Sequence, residues 1–172
     1  GSIVSHATAA WAWRLGSFRP APIHITRSRW SNSTKAPQLF VPHESRRLPP
    51  DDITVLDGFA VTTPSRSLVD LATQVPLGRL ERTLDQAWSL GLVDWPHLIE
   101  CCERLGVLGR PGVAAVMRLL DDRGPHWIAP ASNLESRVNQ LLRARGLGEV
   151  RRQVNLGGHT WLGRVDFLHP VG

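Results

Sequence analysis

The chain has 172 residues, enough for one good-sized core or two small ones. Apolar residues make up 42% of it and charged residues 20%, so burial can offset the ordering entropy and disorder over most of the length is excluded. The sequence shows no apolar run near the roughly 20 residues that span a bilayer. The start, Gly-Ser-Ile-Val, lacks the pattern of a signal peptide, and Gly1-Ser2 is typical of an expression scar. We therefore expect a folded cytoplasmic protein with no membrane partner.

The charge is basic and rests almost wholly on arginine. There are 20 basic and 15 acidic residues, for a net charge of +5, and Lys35 is the single lysine. Guanidinium groups match phosphate oxygens well, but an arginine bias also follows from genome base composition, so both explanations stay open. Cys101 and Cys102 are neighbours in a predicted helix, where a disulfide between them has poor geometry, which favours a reducing compartment.

The first predicted elements are a helix and two strands. Ser5 precedes an apolar run that Gly16 closes, which predicts a capped helix with a glycine stop. The stretches 22–26 and 38–43 are rich in β-branched and aromatic residues and predict strands. The polar segment Ser31 to Ala36 between them predicts a loop.

A hairpin and a cluster of helices follow. Residues 53–62 form two β-prone runs about Asp57-Gly58, a pair that supplies the positive φ angles of a tight turn. Thr63 can cap a helix that begins with Pro64. Apolar residues then recur at helical spacing from Leu80 to Leu120, with glycine or proline between the segments.

Residues 123–131 carry two prolines and a glycine without periodicity and are the predicted linker between a domain at 1–122 and a second unit at 132–172. In that unit Ser132 and Glu135 form a capping box for a helix over 133–145. Gly157-Gly158 is the predicted turn between strands at 150–156 and 161–168. The fold class that we expect is α/β, a small sheet with several helices followed by one helix and a β-hairpin.

One acidic residue falls inside the last strand. Asp166 shares a strand face with Arg164 and Leu168, and a half-buried carboxylate needs a hydrogen bond, an arginine or a metal ion. Spacing alone favours a salt bridge to Arg164 or Arg152 and a capping role for Glu135.

The order of motifs suggests a second interpretation. Ser-x-Leu-Glu on a helix, then Arg-Arg-Gln, then Gly-Arg-Val-Asp-Phe resembles the very-short-patch-repair-like branch of the PD-(D/E)XK nucleases, found as a domain in many actinobacterial proteins. The resemblance implies a restriction-endonuclease-like fold and a site lined by Glu135, Gln153 and Asp166, with Asp166 as a metal ligand. It also implies DNA contacts by three arginines, which are equally well explained as solvated strand-edge charges: Arg151, Arg152 and Arg164.

Phosphodiester hydrolysis needs a hard divalent cation such as Mg²⁺, held by several oxygen ligands. The family continues with a strand that bears a further carboxylate, and this sequence ends at Gly172 before such a strand. We therefore expect an incomplete nuclease domain, inactive as this chain and with no cation held.

The first part of the chain resembles the central region of AbiEi-type antitoxins, which belong to toxin-antitoxin and phage-defence systems. Three motifs carry the resemblance: Ser-His-Ala-Thr-Ala-Ala at 5–10, Arg-Arg-Leu-Pro-Pro-Asp-Asp at 46–52, and Val-Thr-Thr-Pro-Ser-Arg-Ser-Leu-Val-Asp-Leu-Ala at 61–72. The family usually carries an N-terminal winged helix that binds operator DNA. Thr63, Arg66 and Asp70 are either a recognition patch or, as their spacing favours, a local cap and ion pair.

Two functions follow as expectations. The first is a DNA-associated protein related to PD-(D/E)XK endonucleases; the second is a non-enzymatic antitoxin or transcriptional regulator. The expected partners are DNA, a cognate toxin and a second copy of the chain. The seven histidines are far apart in sequence without metal-ligand spacing, which argues against zinc, and the seven tryptophans are typical of core and interface anchors.

Overall fold

The computed structural model describes residues 1–27, 39–45, 48–106, 109–123, 133–147, 151–156, 160 and 162–168. These residues form a mixed α/β fold, as the sequence predicts. In chain order its elements are β1 (Ile3–Val4), α1 (His6–Ala12), β2 (Ile23–Arg27), β3 (Phe40–Glu44), a 3₁₀ turn (Pro50–Asp52), β4 (Ile53–Leu56), β5 (Phe59–Thr62), α2 (Pro64–Leu71), α3 (Leu77–Ser89), α4 (Trp95–Gly106), α5 (Val113–Asp121), α6 (Asn133–Ala144), β6 (Arg151–Leu156) and β7 (Gly163–Leu168).

Five strands form one mixed sheet in the order β3-β2-β1-β5-β4. β2 and β3 run parallel, while β1 pairs antiparallel with β2 and parallel with β5. The strand β1 at the centre has two residues and is absent from the sequence analysis, because two residues are too few to show alternation. The predicted strands at 22–26 and 38–43 are confirmed as β2 and β3, each shifted by one or two residues.

The predicted hairpin at Asp57-Gly58 is confirmed. Asp57 has φ 50° and Gly58 has φ 82°, so both turn residues are left-handed, as a two-residue turn that follows the twist of its strands requires. Leu56 pairs with Phe59 across the turn, and β4 and β5 are antiparallel. Thr63 follows the hairpin directly. Its side-chain oxygen accepts a hydrogen bond from the backbone N–H of Arg66 at 3.4 Å and caps α2.

The hydrophobic core lies mainly between the helices. Its fully buried members come chiefly from α2, α3, α4 and α5, and α1 packs against α2. The largest of them are Leu15, Leu68, Leu71, Leu80, Leu84, Leu98, Leu105 and Leu120. The three predicted helical segments in the middle of the chain are thus confirmed as α3, α4 and α5, because their apolar residues share one face that the core covers.

The first helix begins directly after Ser5, as predicted, but it lacks the predicted capping bond and ends before the predicted glycine stop. The Ser5 side chain makes no capping bond to α1, since its hydroxyl accepts from Thr26 Oγ1 at 2.8 Å. The helix ends at Ala12, and Gly16, with φ 61°, comes four residues later.

The last helix and hairpin form in the predicted order. α6 packs against α3, and β6 and β7 make a separate antiparallel pair. Ser132, most of the predicted linker and the Gly157-Gly158 turn lie outside the described residues, so the domain boundary stays a prediction. Within the described ranges no helix has the length and apolar character needed to cross a bilayer.

Candidate functional site

The residues implied by the nuclease resemblance fall on the last three elements. Glu135 is the third residue of α6, and the others lie on the two strands of the final hairpin: Arg151, Arg152 and Gln153 on β6, and Arg164 and Asp166 on β7. Their side chains are outside the described part of the structure. The predicted roles in catalysis, metal binding and DNA contact therefore stay predictions.

The backbone register brings two of these positions together. Arg152 pairs with Phe167 and Val154 pairs with Val165, so Gln153 and Asp166 occupy opposing positions between these pairs. Among the side chains that the structure describes, no group of three or more His, Cys, Asp or Glu residues could hold a metal ion. That set does not include Glu135 and Asp166.

A buried ion cluster, not predicted as such, joins α2 to the 3₁₀ turn before β4. The Arg66 guanidinium donates from Nη1 to Asp52 Oδ2 at 2.6 Å and from Nε to Asp70 Oδ1 at 3.0 Å. The side chains of Arg66 and Asp52 are fully buried. The i, i+4 pair of Arg66 and Asp70 is visible in the sequence, but Asp52 joins it only through the fold of the β4-β5 hairpin.

Two more arginines complete this ion cluster. Arg104 Nη2 donates to Asp52, and Arg110 donates to Asp70 Oδ1 at 3.3 Å and to the Ser45 hydroxyl. Burial raises the pKa of Asp70, and Arg66 and Arg110 oppose that rise. The three guanidinium groups exceed the two carboxylates by one positive charge. A buried charge is stable only when it is paired in this way, so the ion cluster fixes the position of α4 and the loop before α5 relative to α2.

Three of the seven histidines meet beside the ion cluster. The His6 and His43 rings stack with centroids 3.6 Å apart, and His24 Nδ1 lies 2.9 Å from His43 Nε2. His6 Nδ1 is 2.9 Å from the Ser5 hydroxyl. The three histidines are far apart in the sequence, and the parallel pairing of β2 with β3 brings His24 and His43 together.

The histidines are held neutral. Burial, with smaller contributions from the neighbouring histidines and arginines, lowers the pKa of His6 to about 2. Burial and His24 lower the pKa of His43 to about 4, and burial lowers the pKa of His24. His6 also has φ 52°, a left-handed conformation that a non-glycine residue adopts at a cost.

This arrangement gives the ion cluster a structural role. Ser5 is fully buried and Asp52 is saturated by two arginines, so neither can reach a substrate. The neutral imidazoles are shielded from protonation near pH 7.

A second polar feature is open to solvent. A groove of about 720 Å³ lies between the segment after α1, one face of α3 and α6. We call it the arginine groove; the described residues that line it are Gly16, Ser17, Arg79, Arg82, Thr83, Arg137, Gln140 and Leu141. Three guanidinium groups around one groove are suited to binding phosphate.

The chain matches no family model, no curated protein and no solved structure. The ion cluster is structural, and among the described residues the candidate places for a ligand are the arginine groove, an apolar cavity of about 710 Å³ between α1 and the sheet, and the hairpin that carries Gln153 and Asp166.

Proposed function

We propose that this chain is a cytoplasmic, DNA-associated protein related to the PD-(D/E)XK endonucleases. The observation that supports the proposal most is the backbone order in the second unit, where α6 precedes an antiparallel hairpin. Gln153 and Asp166 occupy opposing positions on that hairpin, and Glu135 lies on α6. This is the order of elements and residues that the resemblance implies.

The donor chemistry of these residues fits a hard divalent cation. Glu135 and Asp166 offer carboxylate oxygens and Gln153 offers an amide oxygen, which are the ligands that Mg²⁺ prefers. When bound, such an ion polarises the phosphate and lowers the pKa of the attacking water. Asp166 would hold the ion, and Glu135 and Gln153 would line the site beside it, with the further carboxylate of the family still needed to complete the ligand set.

The rest of the chain supports an assignment to DNA and not to a small acidic substrate. The net charge is +5, and the arginine groove adjoins α6, the helix that carries Glu135. A positive surface of this kind attracts the phosphate backbone regardless of base sequence.

Supercoiled plasmid tests the proposal and separates it from a non-enzymatic antitoxin or regulator. We expect the chain to retard the plasmid on a native gel. In a version lengthened by the further carboxylate-bearing strand that the resemblance implies, nicking that needs Mg²⁺ and is lost in Asp166→Asn, but not in the exposed control Asp122→Asn, would identify the nuclease. Retardation without nicking by that longer version would favour the regulator, and no retardation by the folded chain would contradict an association with DNA.

A further inference from the structure

We propose that the arginine groove binds the phosphate backbone of duplex DNA. The inference rests on the proposed function and adds the surface by which the chain holds DNA. It concerns Arg79, Arg82 and Arg137, none of which the nuclease resemblance assigns a role.

Two of the three guanidinium groups are held in position. Arg79 lies over the Phe18 ring, 4.3 Å from its centroid, and donates to the Ser17 carbonyl at 3.2 Å. Arg82 Nη1 donates to Gln140 Oε1 at 2.8 Å. A guanidinium carries five N–H donors, so each arginine can keep these contacts and still offer donors to a phosphate. Because the groups are already ordered, little side-chain entropy is lost when an anion binds.

The third arginine is free to adapt. Arg137 is an exposed residue of α6, and within the described residues no carboxylate forms an ion pair with Arg79, Arg82 or Arg137. An arginine without a competing carboxylate contributes its full charge to an incoming phosphate.

The acidic residue nearest in sequence to these arginines is already neutralised. Glu81 precedes Arg82 in α3, and its carboxylate accepts hydrogen bonds from Arg123 at 3.2 Å, Gln140 at 2.7 Å and Arg143 at 3.1 Å. The carboxylate of Glu81 is therefore paired outside the set of three groove arginines. The described lining of the groove has no acidic residue, so its charge is positive.

The shape of the groove favours a polymer backbone over a nucleotide. The groove is partly open to solvent, so a phosphate on an extended chain can reach its arginines. Its described lining has no aromatic ring on which a base could stack, whereas proteins that bind single strands commonly use such rings. Contacts to phosphate without base stacking are typical of duplex binding that does not read the sequence.

The groove shares helix α6 with the site proposed for the nuclease chemistry. Arg137 follows Glu135 by two residues in α6, and Gln140 in the same helix bonds to the Gly78 carbonyl and Glu81 of α3. A duplex that contacts Arg137 would therefore lie beside the helix that carries Glu135. The groove would thus supply the positioning contacts and the hairpin the chemistry.

Fluorescence anisotropy with a short labelled duplex tests the inference. Arg137→Glu changes an exposed arginine and should leave the fold intact; Arg118→Glu, an exposed arginine on α5 outside the groove, is its matched control. We expect Arg137→Glu to weaken binding about tenfold at moderate salt and Arg118→Glu to change it by less than about twofold. Arg82→Gln, which removes a second charge from the groove, should also weaken binding.

The outcomes separate the two proposals. If the wild-type chain binds the duplex and Arg137→Glu and Arg118→Glu lose the same affinity, the groove is not the DNA-binding surface. The proposed function is unaffected by that result. Failure of the folded wild-type chain to bind the duplex would overturn both. The assignment to duplex DNA would also be wrong if an unlabelled single strand, or inorganic phosphate, displaced the labelled duplex as well as unlabelled duplex does.

Discussion

Arg66 shows how much of this fold depends on a single side chain. It is fully buried, which is unusual for arginine, and it contacts Asp52 on the 3₁₀ turn and Asp70 on its own helix. Asp52 and Asp70 in turn bind Arg104 and Arg110, which follow much later in the chain. Asp52, Arg66 and Asp70 thus form the centre of an ion cluster, and this structural role accounts for the three residue types.

Asp52→Asn tests the importance of that cluster. Asparagine cannot neutralise Arg66, so the variant leaves a buried guanidinium short of its counter-charge. We expect a loss of about 3–5 kcal/mol in the free energy of unfolding, measured by urea denaturation. Asp51→Asn, an exposed neighbour in the same turn, should change stability by less than about 0.5 kcal/mol. Equal effects of the two substitutions would show that the buried pair is unimportant.

The neutral histidines predict a loss of stability in acid. The pKa of His6 falls from 6.5 in the unfolded chain to about 2 in the fold. Below about pH 6.5 the unfolded state therefore binds more protons than the folded state, and stability falls as the pH is lowered from about 6.5 toward about 2. His97 acts in the opposite direction, because Asp94 raises its pKa.

Urea denaturation at about pH 7 and about pH 5 measures this dependence. His6→Asn, which a left-handed backbone tolerates, should lose less stability over that interval than the wild-type chain. His97→Asn, on the surface, should not reduce the loss. A wild-type chain as stable at the lower pH would argue against neutral histidines in the fold.

At the scale of elements, local chemistry explains what the sequence could predict. The Asp57-Gly58 turn and the cap at Thr63-Pro64 are each specified by adjacent residues, and both are confirmed. The strand β1 and the meeting of the histidines depend on pairing between distant segments, so no local pattern shows them. Of the candidate site, the sequence specifies α6 and the hairpin, while the arginine groove needs the packing of α6 on α3.

The start of α5 depends on one glycine. Gly112 has φ 100°, and a Cβ at this position would lie 2.4 Å from the Val69 carbonyl oxygen. Gly112→Ala should cost about 2 kcal/mol or more, because both the backbone conformation and the contact with α2 are unfavourable. Thermal unfolding followed by circular dichroism measures the loss.

Gly109→Ala is the matched control for this prediction. Gly109 has φ 63° but nothing within 4 Å of an added Cβ, so that variant carries the backbone cost alone. The difference between the two melting temperatures isolates the steric contact with Val69. Equal melting temperatures would contradict the close packing of α5 on α2.

At the scale of the whole molecule, the packing of α6 on α3 connects the first five helices to the last hairpin. The helices and the ion cluster fix α3, and α3 holds α6 through Gln140 and Arg143. Arginines from both units then line one groove, next to the helix that leads to the hairpin. In our proposal the groove between α3 and α6 positions DNA, and α6 and the hairpin carry the residues proposed for the chemistry.

The salt dependence of duplex binding by the wild-type chain tests the central claim, association with DNA through phosphates, most directly. If Arg79, Arg82 and Arg137 each neutralise one phosphate, the logarithm of the binding constant falls linearly with the logarithm of salt concentration, with a slope of about −2.7. Arg137→Glu should reduce that slope by about one. Binding that does not depend on salt, or no binding at low salt, would contradict the account.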